Sequence, residues 1–141
     1  MTIRAILASK GGDVVSIGSD ARVSDAVAML AEKRIGAVPV IDGGRVVGIF
    51  SERDVVYSIA RSGAAALDAR IGDVMTAPAM TVDPDTPVMS GLSLMTRRRV
   101  RHLPVVQGDD VIGFISIGDL VKYRIDRIES EAAAMRDYIA S

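Results

Sequence analysis

The feature that most constrains this chain is that it repeats itself. Displaced by 65 positions, Asp20 to Val56 overlays Asp85 to Val121 without a gap. Pro39 falls on Pro104, Gly43 on Gly108, Gly48 on Gly113, Ser51 on Ser116 and Asp54 on Asp119, while Val38, Val40, Ile41, Val47 and Ile49 face Leu103, Val105, Val106, Ile112 and Phe114. Chance does not bring so many special residues into register, so the chain is two copies of one unit. Within 141 residues each copy alone would bury too little surface to be more than marginally stable, and pairing the two into one pseudo-two-fold module resolves this.

Each copy reads in the same order. A short apolar segment (Val14 to Ile17; Met80 to Val82) leads into a helical pattern with apolar residues at Val23, Val27 and Leu30, or at Val88, Leu92 and Met95. That spacing, i, i+4, i+7, gives one buried helix face. Thr86 followed by Pro87 suits an N-cap and first helical residue, because proline lacks a donor that would be orphaned there anyway. Two runs rich in β-formers follow, Val38 to Ile41 and Arg45 to Phe50, joined by Asp42-Gly43-Gly44, where glycine accepts the positive φ of a tight hairpin. Copy two repeats this with Leu103 to Val106 and Val111 to Ile115. A second helix starts after Ser51 or Ser116. The expected fold is therefore α+β, β-α-β-β-α twice, with both sheet faces covered because the β-runs are continuously apolar. The expected organisation is an N-terminal segment with the first repeat over 1–62, a linker over 63–75, the second repeat over 76–128 and a C-terminal helical extension over 129–141.

Composition narrows the function. Seventeen basic against eighteen acidic residues leave a net charge of -1, without the bulk positive field of a general nucleic-acid binder. There is no cysteine, hence no disulfide, thiolate metal site or cysteine nucleophile, and a single histidine offers little for metal binding or acid–base work. Neither a nucleophile with its base nor a metal-ligand cluster is visible, which argues against an enzyme. No apolar stretch approaches the length of a membrane span, and the N-terminal run Ala5 to Ala8 falls short of a signal peptide. The expectation is a cytoplasmic protein without nucleic-acid or membrane partners.

Two constellations could carry chemistry. Ser51 with Asp54, and Ser116 with Asp119, have N-cap and N3 spacing, which fits a capping box. The same spacing also fits an anion site, since a helix N-terminus offers unpaired N–H groups and the positive end of a dipole. The cluster Arg97-Arg98-Arg99-Val100-Arg101-His102 is the strongest local charge. Its first part suits a helix C-terminus, where cations are favoured, and its last part leads into a strand.

Gly48-Ile49-Phe50-Ser51-Glu52-Arg53-Asp54 and Gly113-Phe114-Ile115-Ser116-Ile117-Gly118-Asp119 resemble the G-h-h-[ST]-x-x-D signature of CBS (cystathionine-β-synthase-type) domains. Asp73-Val74-Met75-Thr76 is similar to that family's segment between copies, and Arg99-Val100-Arg101-His102-Leu103-Pro104-Val105-Val106 to its second-strand motif. The resemblance covers nearly the whole chain. It implies a two-copy Bateman module that binds an adenosine-containing ligand, AMP, ADP, ATP, NAD or S-adenosylmethionine, in the clefts between copies and commonly pairs into dimers.

By that resemblance Asp54 and Asp119 bind ribose, and Ser51, Ser116, Arg53, Arg101 and His102 contact phosphate. The adenine slot comes from Val15, Ile17, Ala37, Val38 and Pro39 in one copy, and from Met80, Val82, Val100, Leu103 and Pro104 in the other. Lys10, Thr76 and Thr81 are further polar candidates. The copies differ where phosphate binding would occur: Ile35-Gly36-Ala37 stands against Val100-Arg101-His102, and Arg53 against Gly118. The two sites are therefore not equivalent.

From Val121 on, Ile125, Ile128, Ala132, Met135 and Ile139 form a heptad stripe. It suits either a helix folded back on its own module or one that packs on a second subunit. The functional expectation is a regulatory module that senses an adenine nucleotide, works as a homodimer and signals to a regulated protein, with no catalytic cofactor. The alternative is a dimerisation module whose pockets are empty of function.

Overall fold

The computed structural model describes residues 1–140; Ser141, the last residue of the expected C-terminal helix, lies outside the described residues. The elements are α1 (Ile3–Lys10), α2 (Val23–Lys33), β1 (Ala37–Asp42), β2 (Arg45–Ser51), α3 (Glu52–Ser62), a 3-10 turn (Gly63–Asp68), α4 (Ile71–Val74), α5 (Val88–Arg98), β3 (His102–Gln107), β4 (Asp110–Ser116) and α6 (Ile117–Ala140). The repeat is visible in three dimensions as two antiparallel hairpins, β1–β2 and β3–β4, in the same register, with a bulge at Val40/Ile41 and its counterpart at Val105/Val106. Gly43 and Gly44 turn the first hairpin with φ of 56° and 78°, the paired positive values that match a tight turn to strand twist.

The first strand of each copy is shorter than expected. Val14 to Ile17 contributes one parallel bridge, Ile17 to Val40, and Met80 to Val82 one, Val82 to Val105. Ile17 and Val82 are the buried residues of these segments, with Met80 packed partly buried against the copy-two core, and the bridges to the hairpins form at Ile17 and Val82. The helix of copy two also begins one residue late. Pro87 takes the N-cap position of α5, because the Thr86 carbonyl accepts from the Ile3 N–H at 2.9 Å and so belongs to the junction with α1.

That junction organises the molecule. One core cluster holds Val23, Leu30, Val38, Val40 and Phe50 of copy one together with Ile71, with Val74 and Met75 packed against it. The other holds Val88, Met95, Leu103, Val105 and Ile115 of copy two together with Ile3, Ile6 and Leu7. The segment preceding each copy thus completes the core of the other. The backbone bonds match: Ile71 N–H to Ala21 O at 2.8 Å and Gly72 N–H to Ser19 O at 2.9 Å on one side, Ile3 N–H to Thr86 O and Arg4 N–H to Pro84 O, both 2.9 Å, on the other. Residues 63–75 are accordingly packed along the module: Ala66 and Ile71 are buried, and the 3-10 turn lies against α2 and α3. α6 runs unbroken through residue 129. Its stripe does not fold back, for Val121, Ile125, Ile128, Met135 and Ile139 are all exposed, as are Val56, Tyr57 and Ile59 of α3.

The signature glycines make this exchange possible. A Cβ on Gly48 would stand 2.6 Å from Met75 Sδ and 2.9 Å from the Thr76 carbonyl oxygen, and one on Gly113 would stand 2.4 Å from Leu7 Cδ2. Gly48→Ala is expected to lower the free energy of unfolding by about 1–3 kcal/mol, as overpacking does, and by more than Gly113→Ala. The Leu7 methyl can swing aside, whereas the Thr76 carbonyl is backbone. Urea unfolding of the two variants measures this, and an equal or larger loss in Gly113→Ala would contradict it.

Candidate functional site

The signature of copy one ends β2 and begins α3, and it forms a capping box. Asp54 Oδ2 accepts from the Ser51 N–H at 2.9 Å and from the Ser51 hydroxyl at 3.1 Å, and Ser51 Oγ accepts from the Asp54 N–H at 3.4 Å. Copy two repeats it, with Asp119 Oδ2 on the Ser116 N–H at 2.8 Å and the Asp119 N–H on Ser116 Oγ at 3.1 Å. The capping role is therefore met in both copies. It uses one carboxylate oxygen of each aspartate. The other oxygen of Asp54 accepts from the Thr76 hydroxyl at 3.0 Å.

Asp54 opens onto a cavity of about 590 Å³ between the copies, within the size range of small-molecule sites. Copy one supplies Gly36, Ile49, Ser51, Glu52, Arg53, Asp54 and Tyr57, the segment between copies adds Thr76, and copy two supplies Arg98, Arg99, Val100, Arg101 and His102. The end of α5 directs the arginines there: Arg99 adopts a left-handed conformation, φ 54°, which stops the helix and turns the chain into β3. Arg34 does the same in copy one, φ 53°. Arg53, Arg98, Arg99 and Arg101 are exposed. Three guanidiniums and an imidazole of copy two therefore lie across this cleft from Glu52 and Asp54, with Arg53 between those two carboxylates on the copy-one side.

His102 is a half-buried residue of the cavity wall. Its ring stacks on Phe114 with centroids 5.6 Å apart, and a Cβ on Gly36 would lie 3.6 Å from its Cε1. Burial holds its pKa below the ordinary value, and the Lys10 ammonium acts in the same direction, against the pull of Asp119 and Glu52. For Asp119 the largest single influence is burial, which pushes upward. The Lys10 ammonium and the Ser116 N–H outweigh it and leave the carboxyl below its ordinary value.

The cavity brings together Asp54, Ser51, Arg53, Thr76, Arg101, His102 and Val100 of the residues singled out from sequence. Ser116 and Asp119 lie outside its wall, Asp119 being engaged by Lys10 Nζ at 2.7 Å. Ile17, Ala37, Val38, Pro39, Val82, Leu103 and Pro104 are buried in the packed core and do not line it. Sequence reasoning passed over Glu52 and Tyr57, and assigned Arg98 and Arg99 to a helix end only. The signal available for these was position: Glu52 inside the signature, Tyr57 just after it, and Arg98 and Arg99 at the helix end that leads to β3.

Two hairpin-and-helix units that exchange their leading segments around a polar cleft define a tandem-repeat module. The chain belongs to the CBS-domain family, whose model matches residues 3–61 and 71–126. It is 33% identical over 147 aligned positions to the mitochondrial CBS domain-containing protein CBSX3 of Arabidopsis thaliana, covering 98% of this chain and 71% of that one. A crystal structure of a CBS-domain-containing protein from Agrobacterium tumefaciens is 38% identical with a TM-score of 0.85, over 88% of this chain and 99% of that one. The CBS domain pair of protein MJ0100, solved with 5′-methylthioadenosine and S-adenosyl-L-methionine, shares the fold at 22% identity and a TM-score of 0.79, over 90% and 98% of the two chains. No helix among the described residues is long and apolar enough to cross a membrane.

Since His102 is the only histidine, its imidazole proton resonance can be followed without assignment. Its folded-state pKa is depressed, so the fold loses stability as pH falls through 6.5, the ordinary value, towards the folded one. The NMR titration midpoint is expected below 6.5 and should move up in Lys10→Met, which removes a repelling cation. A midpoint at or above the ordinary value in the unsubstituted chain would contradict the site's electrostatics.

Proposed function

We propose that this chain is a regulatory module that binds an adenine nucleotide, AMP, ADP, ATP or NAD, in the cleft between its repeats. The observation that carries the reading is the cavity itself, which sets Ser51 and Asp54 of copy one opposite Arg98 to His102 of copy two. A carboxylate at a helix N-terminus can accept from ribose hydroxyls, as acidic residues do in dinucleotide folds. The guanidiniums of Arg53, Arg98, Arg99 and Arg101 suit phosphate oxygens, which they bind bidentately. Ile49, Val100 and Tyr57 give the base an apolar and aromatic wall. The complexes of MJ0100 with adenosine compounds support the ligand class.

In this reading the ligand bridges the copies, and binding favours one arrangement of the repeats over another. A partner protein responds to that arrangement. The module works as a homodimer through the exposed apolar faces of α3 and α6, where Val56, Ile59, Val121, Ile125 and Ile128 lie in water in the single chain. Two-fold pairing covers such a face with its own copy. A cytoplasmic location fits the absence of cysteine.

Titration calorimetry with AMP, ATP, NAD and S-adenosylmethionine tests the ligand. Saturable binding by at least one is expected, and Asp54→Ala should weaken it about tenfold or more, the loss of a charge-assisted hydrogen bond being about 1.5–3 kcal/mol. Binding unaffected by Asp54→Ala would move the ligand elsewhere. No binding by any of the four would leave the dimerisation module as the better reading. For the dimer, light scattering should give twice the chain mass, falling to one in Ile125→Asp/Ile128→Asp. A monomeric unsubstituted chain would remove the dimer from the account.

A further inference from the structure

The two signatures are closed by different means. In copy one the chain leaves α4 and runs extended, so that Thr76 lies against β2. Its N–H donates to Ile49 O and its carbonyl accepts from Ile49 N–H, both at 2.9 Å, and its hydroxyl donates to Asp54 Oδ1 at 3.0 Å. In copy two the equivalent of α4 is α1, which stays helical as far as Lys10. Matching Ile71 and Gly72 to Ile3 and Arg4 through their backbone bonds puts Ala8, without a hydroxyl, where copy one has Thr76. Lys10 makes up two of the three contacts. Its Nζ donates to Phe114 O at 2.8 Å and to Asp119 Oδ2 at 2.7 Å, the counterparts of Ile49 O and the Asp54 carboxylate.

The substitution is not chemically neutral. Thr76 gives Asp54 one rotatable hydroxyl and leaves its charge free to receive ribose hydroxyls. Lys10 puts a full positive charge on Asp119, through Oδ2, the same oxygen that caps the helix, and so compensates the charge of the carboxylate as a whole. The copy-two signature also lacks two of the four cations of its twin, since Arg53 and Arg101 correspond to Gly118 and Gly36, while Lys33 and Arg34 stand where the twin has Arg98 and Arg99.

We propose that Lys10 occupies the copy-two carboxylate from within the chain, so that one chain takes up one adenosine ligand, at Asp54, and the second site opens only when Lys10 is withdrawn. This rests on the reading of Asp54 as a ribose-binding residue. The body of α1 cannot move away, because Ile3, Ile6 and Leu7 belong to the copy-two core. The Lys10 side chain can. It is the last residue of the helix, Gly11 follows with φ 99°, and the ion pair is partly exposed, 42% on the lysine and 28% on the aspartate, so the ammonium has a path into water once its two bonds, to Asp119 and to the Phe114 carbonyl, are released.

The test is calorimetric titration of the full chain with ATP and, separately, with adenosine, which needs no phosphate-binding cations. The unsubstituted chain should show one site per chain, Asp54→Ala none, Lys10→Ala two for adenosine, and Lys10→Ala/Asp54→Ala one. Lys10→Met, which keeps the aliphatic stem, serves if Lys10→Ala unfolds. Two sites in the unsubstituted chain, or an unchanged count in the lysine variants, would overturn the proposal. So would a site lost on replacing Lys10, which would make it a ligand contact instead. If the unsubstituted chain binds neither probe, the reading of Asp54 fails; a site gained in Lys10→Ala would still sustain the internal occupant, and none gained would end both.

Discussion

The structure depends on an exchange: the segment ahead of each repeat completes the core of the other. Ile71 closes copy one and Ile3, Ile6 and Leu7 close copy two. Each hairpin and its two helices would otherwise leave an apolar face in water, and a unit of that size has little stability to spare. The cleft follows from the exchange. With each copy tied to the other's leading segment, the start of α3 and the approach to β3 are held face to face, and the polar groups that cap one helix become the wall of a cavity shared with the other copy.

Within that frame the side chains have diverged. The residues that keep the copies superimposable are the apolar positions of the bulged hairpins and helix faces, Gly48 and Gly113, and the serine–aspartate pairs that cap the second helix of each copy. Differences that bear on the site are at the two signatures, Arg101 against Gly36, Arg53 against Gly118, Thr76 against the lysine that ends α1. A symmetrical scaffold therefore presents unlike electrostatics at its two signatures. Copy one's aspartate opens on a cavity ringed by guanidiniums; copy two's is bonded to an ammonium.

Much of the fold was legible because it depends on periodicity and turn chemistry. The spacing of Val23, Val27 and Leu30, the glycines after Asp42, and the serine–aspartate pairs each specify local structure without reference to the rest of the chain. What was not legible depends on long-range partners. Nothing local says that α1 belongs to copy two, although Ile3, Ile6 and Leu7 carry a helical spacing. The expected adenine residues failed to reach the cavity for a related reason: Ala37 to Val40 are covered on both sheet faces, so alternation cannot tell a core position from a cavity wall. Arg98 and Arg99 were readable as a helix end, but the left-handed turn that swings them to the cleft was not.

The most direct test of the account is amide hydrogen exchange on the full chain with and without ATP. Ligand-dependent protection is predicted at residues 49–54, at Thr76 and at residues 98–102, with residues 116–119 unchanged. Protection centred on residues 116–119, or none at the copy-one signature, would contradict a single cleft built from Asp54 on one side and Arg101 on the other.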